Sequence, residues 1–235
     1  MRRALACAAV GCAALLASGV GPAGATNECR GLMVCVPVAG PWVVLPRGLD
    51  VPRARVEYQL ACPRRYVVGG LDAELSDQAI DVGFLGTLGS PVNPGISTAR
   101  TVVVVGRYVG SAARTTSFRP HIGCIPAAGG GPRVPTSVSR VYPPGRPTVV
   151  RARTIRLRPG ALRVAQGCAP GERLVAASHA VGFYTPGPPA PSLARSVSAG
   201  HVMRNGQVIV SGRAGAAMQS VRAVVQVQAV CAGGA

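Results

Sequence analysis

Cys62-Pro63-Arg64-Arg65-Tyr66-Val67-Val68-Gly69-Gly70 and Cys168-Ala169-Pro170-Gly171-Glu172-Arg173-Leu174-Val175-Ala176-Ala177 share one plan: a cysteine, a short turn and an apolar run. The residues before each cysteine alternate. Val56, Tyr58, Leu60 and Cys62 fall on one face of an extended chain, as do Leu162, Val164 and Cys168. Phe118, Pro120, Ile122 and Cys124 repeat the pattern, and so do Ala223, Val225, Val227 and Cys231. A period of two with sulfur on the apolar parity means strands whose cysteines point into a core. Thiols so placed are structural, not reactive. No stretch carries a sustained helical period, so the expected fold is all-β.

The spacing points to a copied unit. Cys62 and Cys124 are 62 positions apart, and Cys168 and Cys231 are 63 apart. Val82-Gly83-Phe84 recurs as Val181-Gly182-Phe183, and Ser97-Thr98-Ala99-Arg100-Thr101-Val102 as Ser192-Leu193-Ala194-Arg195-Ser196-Val197. The expectation is two tandem β-sandwich-like repeats, residues 53–126 and 151–235, related by internal duplication and stapled by disulfides. The duplication selects Cys62–Cys124 and Cys168–Cys231, and leaves Cys29–Cys35 to close a local loop. Closing a loop of this length stabilises by roughly 4 kcal/mol on the chain-entropy view, which matters for units whose own cores are small. In this alignment Glu74 to Asp81 is an insertion peculiar to the first repeat.

The first 25 residues read as an address. Met1-Arg2-Arg3 is basic, Ala4 to Val20 is uncharged and mostly apolar, and Ala23-Gly24-Ala25 is a small-x-small cleavage site. Together they make a secretory signal peptide, 1–25. Lipidation of Cys12 is the rival reading. No later stretch has the length and apolarity of a spanning helix, so the expected product is exported, in the cell envelope or beyond it. Residues 26–52 are read as an N-terminal extension. Residues 127–150, with Gly129-Gly130-Gly131-Pro132 and Tyr142-Pro143-Pro144-Gly145, are read as a linker. Of the eight cysteines, Cys7 and Cys12 fall in the expected leader, and the even set of six that follows it fits an oxidising compartment; without a Cys-x-x-Cys pair, zinc is the weaker reading.

The Cys-Pro-x-x-x-x-Val-Gly-Gly opening, carried by Cys62 to Gly70, and the Val227-Gln228-Ala229-Val230-Cys231-Ala232 close resemble small Cys-bounded modules of secreted proteins from high-GC bacteria. The resemblance covers most of the chain after the leader. It implies export and disulfides but no activity and no catalytic residues. The second repeat departs from it, with Ala176-Ala177 where the first has Gly69-Gly70.

Charge is abundant and uneven. The chain carries 25 basic residues against 8 acidic ones, and every basic residue is Arg, a planar fork suited to phosphate and carboxylate. Residues 26–81 hold six Arg against seven acids; residues 82–235 hold seventeen Arg against Glu172 alone. Arg151, Arg153, Arg156, Arg158 and Arg163 are the densest run. This points to an anionic envelope or extracellular polymer as partner, with a solvated sheet face as the plainer reading. Aromatics are only 4% of the chain, too few for base stacking, so nucleic acid is not expected. The sequence does not specify an oligomeric state.

Asp72, Glu74, Asp77 and Asp81 form the acidic counterpart. They read as a solvated loop, as a dock for arginines of the second repeat, or as a Ca²⁺ site, although Gly and Glu are missing from the EF-hand positions. Motif searching finds no nucleophile elbow, no His-Glu-x-x-His and no phosphate loop. A non-enzymatic binding or structural module is therefore expected. The alternative is a secreted hydrolase of unfamiliar type using His179 or His121 with a carboxylate. Trp42, the only tryptophan, reads as a plug onto the first repeat or as an exposed sugar platform.

Overall fold

The computed structural model describes residues 26–46, 55–86, 100–111, 114–127 and 148–233. The expected signal peptide and most of the expected linker lie outside these residues. The first half contains β1 (Val36–Ala39), β2 (Trp42–Leu45), β3 (Val56–Ala61), β4 (Tyr66–Leu75), β5 (Ile80–Leu85), β6 (Thr101–Tyr108) and β7 (Thr116–Pro126). The second contains β8 (Thr148–Arg156), β9 (Gly160–Gly167), β10 (Glu172–Phe183), β11 (Val197–Arg204), β12 (Gln207–Ala214) and β13 (Ala223–Gly233). One helical turn, α1 (Pro191–Arg195), precedes β11. The fold is all-β, as alternation predicts, and each strand pairing is antiparallel.

The strands form three sheets. The central one runs β4-β7-β2-β10-β13-β8, with β1 beside β2 along the same edge of β7. Two three-stranded sheets, β3-β6-β5 and β11-β12-β9, pack on its opposite faces. The face assignment follows from strand parity. Val43, Phe118, Ala180 and Val224 belong to the core under β3-β6-β5. Phe183, Val225, Val227 and Ala229 belong to the core under β11-β12-β9. Because β13 serves both cores, its two parities are both buried.

The order β4-β7-β2 of the first half recurs as β10-β13-β8 in the second, with strand direction and covered face both reversed. The outer sheets match likewise, β3-β6-β5 against β9-β12-β11. The disulfides are Cys29–Cys35, Cys62–Cys124 and Cys168–Cys231, the three pairings that the spacing selected. Each long-range bridge ties an outer-sheet strand end to the central sheet.

Three expectations need correction. Residues 36–45 are not an appended extension: β2 is hydrogen-bonded to β7 on one side and β10 on the other, joining the halves into one sheet. The second unit also begins earlier than residue 151, since β8 starts at Thr148. Finally, the interior landmarks do not superpose. Val82-Gly83-Phe84 lies in β5, whereas Val181-Gly182-Phe183 ends β10. Val102 lies in β6, whereas Val197 begins β11, the counterpart of β5. Glu74 to Asp81 is therefore no insertion. It spans the end of β4, a short turn and the start of β5, carrying the chain from the central sheet to the outer one, and the second unit has the longer connection there, residues 184–196. The second unit compensates at its next turn, where Asn205 and Gly206 adopt positive φ and close β11 onto β12 directly. Equal cysteine spacing results from two unequal loops exchanged in length.

Across the central sheet, Gln226 acts as a surrogate strand. Its Oε1 accepts from Gln59 N–H at 2.6 Å and its Nε2 donates to Gln59 C=O at 3.0 Å. Gln228 donates to Glu57 C=O at 3.1 Å and to Gln226 Oε1 at 2.7 Å. These amides satisfy the otherwise unpaired edge of β3 in a buried seam. Gln226→Leu leaves that edge unsatisfied and is expected to lower stability by about 2 kcal/mol or more; urea unfolding with an unchanged midpoint would refute this account of the seam.

Candidate functional site

The five clustered arginines do not form one patch. Arg151 and Arg153 lie on one parity of β8, opposite Ala229 and Val227, and face the side covered by β11-β12-β9. Arg156, opposite Val224, faces the other way. Arg158 sits in the β8–β9 turn. Arg163 is on β9 between inward-facing Leu162 and Val164, so it points to solvent from the outer face of the small sheet. Arg151 is already neutralised. Its Nε donates to Glu172 Oε2 at 2.7 Å and its Nη2 to Oε1 at 2.5 Å.

Strand pairing assembles a different basic surface. Arg163 lies opposite Ser211, which lies opposite Gly200. Arg213 lies between Ala161 and Ser198, and Arg204 lies opposite Gln207. The outer face of β11-β12-β9 thus presents Arg163, Arg204 and Arg213 around Ala161, Ser198, Gly200 and Ser211, with Val202 and Ile209 paired on the same face. Arg204 and Arg213 are remote from Arg163 in sequence. Their alternation with inward Val208 and Val210 is the signal that could have found them.

Asp72, Glu74, Asp77 and Asp81 are each otherwise engaged, and they do not converge on a cation site among the described residues. Asp72 accepts from Asn27 N–H at 2.5 Å. Glu74 contacts Arg119 at 3.9 Å and His121 Nε2 at 3.1 Å. Asp77 pairs with Arg114 at 3.1 Å and Asp81 with Arg107 at 2.7 Å. The dock is thus made with arginines of the first unit, not the second. The geometry that Ca²⁺ would require is lost because Asp72 and Glu74 lie on β4, Asp77 in the turn and Asp81 on β5. The one grouping of three or more potential metal ligands among the described residues is Cys168, Glu172 and Cys231. Its sulfurs are joined in a disulfide and its carboxylate holds Arg151, so no thiolate is offered.

His121 does meet carboxylates, Glu28 at 3.7 Å and Glu74 at 3.1 Å, but it is only 5% exposed. The Cys29–Cys35 loop seals it. Gly70 and Gly123 make room for that loop: a Cβ on either would overlap the Glu28 carbonyl. Trp42 is 4% exposed and lies opposite Phe183 in the joining strand, a plug and not a platform.

His179 meets another histidine, not a carboxylate. Its Nδ1 lies 2.7 Å from Nδ1 of His201, and its Nε2 lies 3.1 Å from the Ala199 carbonyl. Burial, and then the neighbouring His201, hold its pKa below the usual histidine value against the opposing pull of the Ala199 carbonyl. Ser178 points through the sheet to the other face, toward Glu57 at 3.4 Å, so the adjacent Ser and His share no catalytic geometry. The histidines border a cleft of about 510 Å³ lined by β2, β3, β10, α1 and β11 residues, including Val44, Arg55, Val181 and Ala194. The hydrolase alternative pairs His179 with a carboxylate; the partner that the packing of β11 on β10 supplies is His201.

No protein-family model, curated protein or solved structure matches the chain. Among the described residues no helix is long and apolar enough to cross a membrane.

Glu172 supplies a pH test. The Arg151 guanidinium, then the Ala169 N–H, hold its carboxyl down to about 2 from an ordinary 4.5. A folded-state value below the unfolded one stabilises at pH above the unfolded value, and that contribution is lost as pH falls toward the folded one. Stability is therefore expected to decline between about pH 4.5 and pH 2, more steeply in the parent than in Glu172→Gln. Parallel unfolding curves for the two proteins across that window would contradict this.

Proposed function

We propose that this chain is an exported, non-enzymatic binding module whose second unit contacts an anionic polymer of the envelope or extracellular space. One observation carries the reading. Residues 148–233 contain ten arginines and a single acid, Glu172, and that acid is bonded to Arg151. In the first unit, by contrast, Arg55, Arg107, Arg114 and Arg119 have carboxylate partners. Residual positive charge on the second unit attracts polyanions and accelerates encounter. Planar guanidinium groups suit phosphate, sulfate and carboxylate alike.

The outer face of β11-β12-β9 is the preferred contact surface. Around Arg163 and Arg213 the small Ala161, Ser198, Gly200 and Ser211 let a chain-like ligand approach the backbone, Val202 and Ile209 offer it an apolar contact, and Arg163, Arg204 and Arg213 supply charge. The basic-apolar leader and the three disulfides support export. The recurrent strand order and bridge positions support descent of both units from one duplicated ancestor.

Retention on immobilised polyphosphate is the test. The triple variant Arg163→Gln, Arg204→Gln, Arg213→Gln is expected to elute at clearly lower salt. Its slope of log affinity against log salt should be smaller by about one unit per arginine removed. Arg151→Gln should change retention far less. Unchanged retention of the triple variant would refute the assigned face.

A further inference from the structure

His179 on β10 and His201 on β11 stand on facing sheets and converge through the same ring atom, with Nδ1 to Nδ1 at 2.7 Å and ring centroids 4.9 Å apart. The roles of the nitrogens follow from their partners. A carbonyl accepts, so His179 Nε2 carries the proton given to Ala199. In the neutral ring Nδ1 is then a bare lone pair aimed at His201. His201 completes the contact by donating its own Nδ1 proton. A single proton thus occupies the space between two imidazole nitrogens at the edge of the inter-sheet cleft. We infer that His179 and His201 form a Cu²⁺-binding site in which the ion, seated beside the line joining the two Nδ1 atoms, replaces the hydrogen bond between the rings.

Three features support the assignment. Imidazole nitrogen is a preferred ligand for divalent copper, which tops the affinity order of first-row ions at such sites. The spacing also suits tetragonal geometry. With metal–nitrogen bonds of about 2.0 Å, cis ligands of a square plane lie about 2.8 Å apart, whereas tetrahedral ligands lie about 3.3 Å apart. The two Nδ1 atoms, 2.7 Å apart in the hydrogen bond, need only a turn of the His201 ring to converge on one ion at the cis separation. The third feature is the anchor. A metal-ligating histidine characteristically donates its second N–H to a carbonyl or carboxylate that sets its tautomer and orientation, as His179 does to Ala199. His201 is exposed and free to turn its ring toward the ion.

The proton balance is simple. On copper binding the His201 ring changes tautomer: the Nδ1 proton leaves to solvent, Nε2 takes one up from solvent, and the ring stays neutral with Nδ1 free for the ion. No oxidation state changes. The nearest cationic side chain on the cleft, Arg55, is paired with Glu57 at 3.1 Å, so its charge is compensated locally. This site is separate from the arginine face and stands whether or not a polyanion binds there.

Titration of the intact, disulfide-bonded protein with Cu²⁺, read by calorimetry and electron paramagnetic resonance, tests the inference. One equivalent should bind and give a tetragonal spectrum with hyperfine structure from two nitrogens. His201→Gln, at an exposed position, should keep the parental melting temperature, lose one nitrogen from the spectrum and bind about tenfold more weakly or worse. His121→Gln should leave the titration unchanged. Absence of binding, retention of both nitrogens in His201→Gln, or an equal loss in His121→Gln would overturn the site.

Discussion

The molecule depends on Val43 being paired on both sides. It lies opposite Phe118 of β7 on one edge and Gly182 of β10 on the other. Through β2 two groups of strands become a single sheet with two buried faces, and every larger feature follows. A sheet covered on both sides must bury both parities of its central strands. β13 does so, sending Val225, Val227, Ala229 and Cys231 into one core and Val224 into the other. The next two positions on that second face hold Gln226 and Gln228, whose amides answer the free edge of β3. Buried amides are tolerated here because most of their hydrogen-bonding groups meet a backbone or side-chain partner.

The differences between the units are as informative as their common plan. In the first, β4 turns straight into β5. In the second, the chain leaves β10 for residues 184–196 before entering β11, and α1 lies on this detour. That longer path brings Ala194, Ala199 and His201 beside β10 and creates the cleft that His179 borders. The first unit has no counterpart to this detour, and its own histidine, His121, lies sealed under the Cys29–Cys35 loop. A shared scaffold therefore carries chemically different sites, because loop length decides which strand ends meet.

Electrostatics divides along the same line. The carboxylates of the first unit sit on adjoining strands and a turn, within reach of arginines from β6, β7 and the approach to β7, and the charges cancel in place. The second unit has only Glu172 to set against its arginines. Its edge strand β8 is lined with Arg151 and Arg153, which also discourages pairing with another chain. Its outer sheet carries Arg163, Arg204 and Arg213 on the solvent face, with no acid of the second unit beyond Glu172 to offset them.

The amino-acid sequence by itself determined the strand class, the inward parity of the cysteines and the sulfur partners. These properties are local or stoichiometric: alternation has a period of two, and closing two similar loops leaves one short pair. It did not reveal that residues 36–45 sit in the middle of the central sheet, that Arg163 shares a face with Arg204 and Arg213, or that His179 faces His201. Each of these is a choice of neighbour across strands distant along the chain, made by register and by the packing of one sheet on another. Neither quantity is written in the local alternation of residues, and the matched cysteine spacing concealed the exchange of loop lengths that set them.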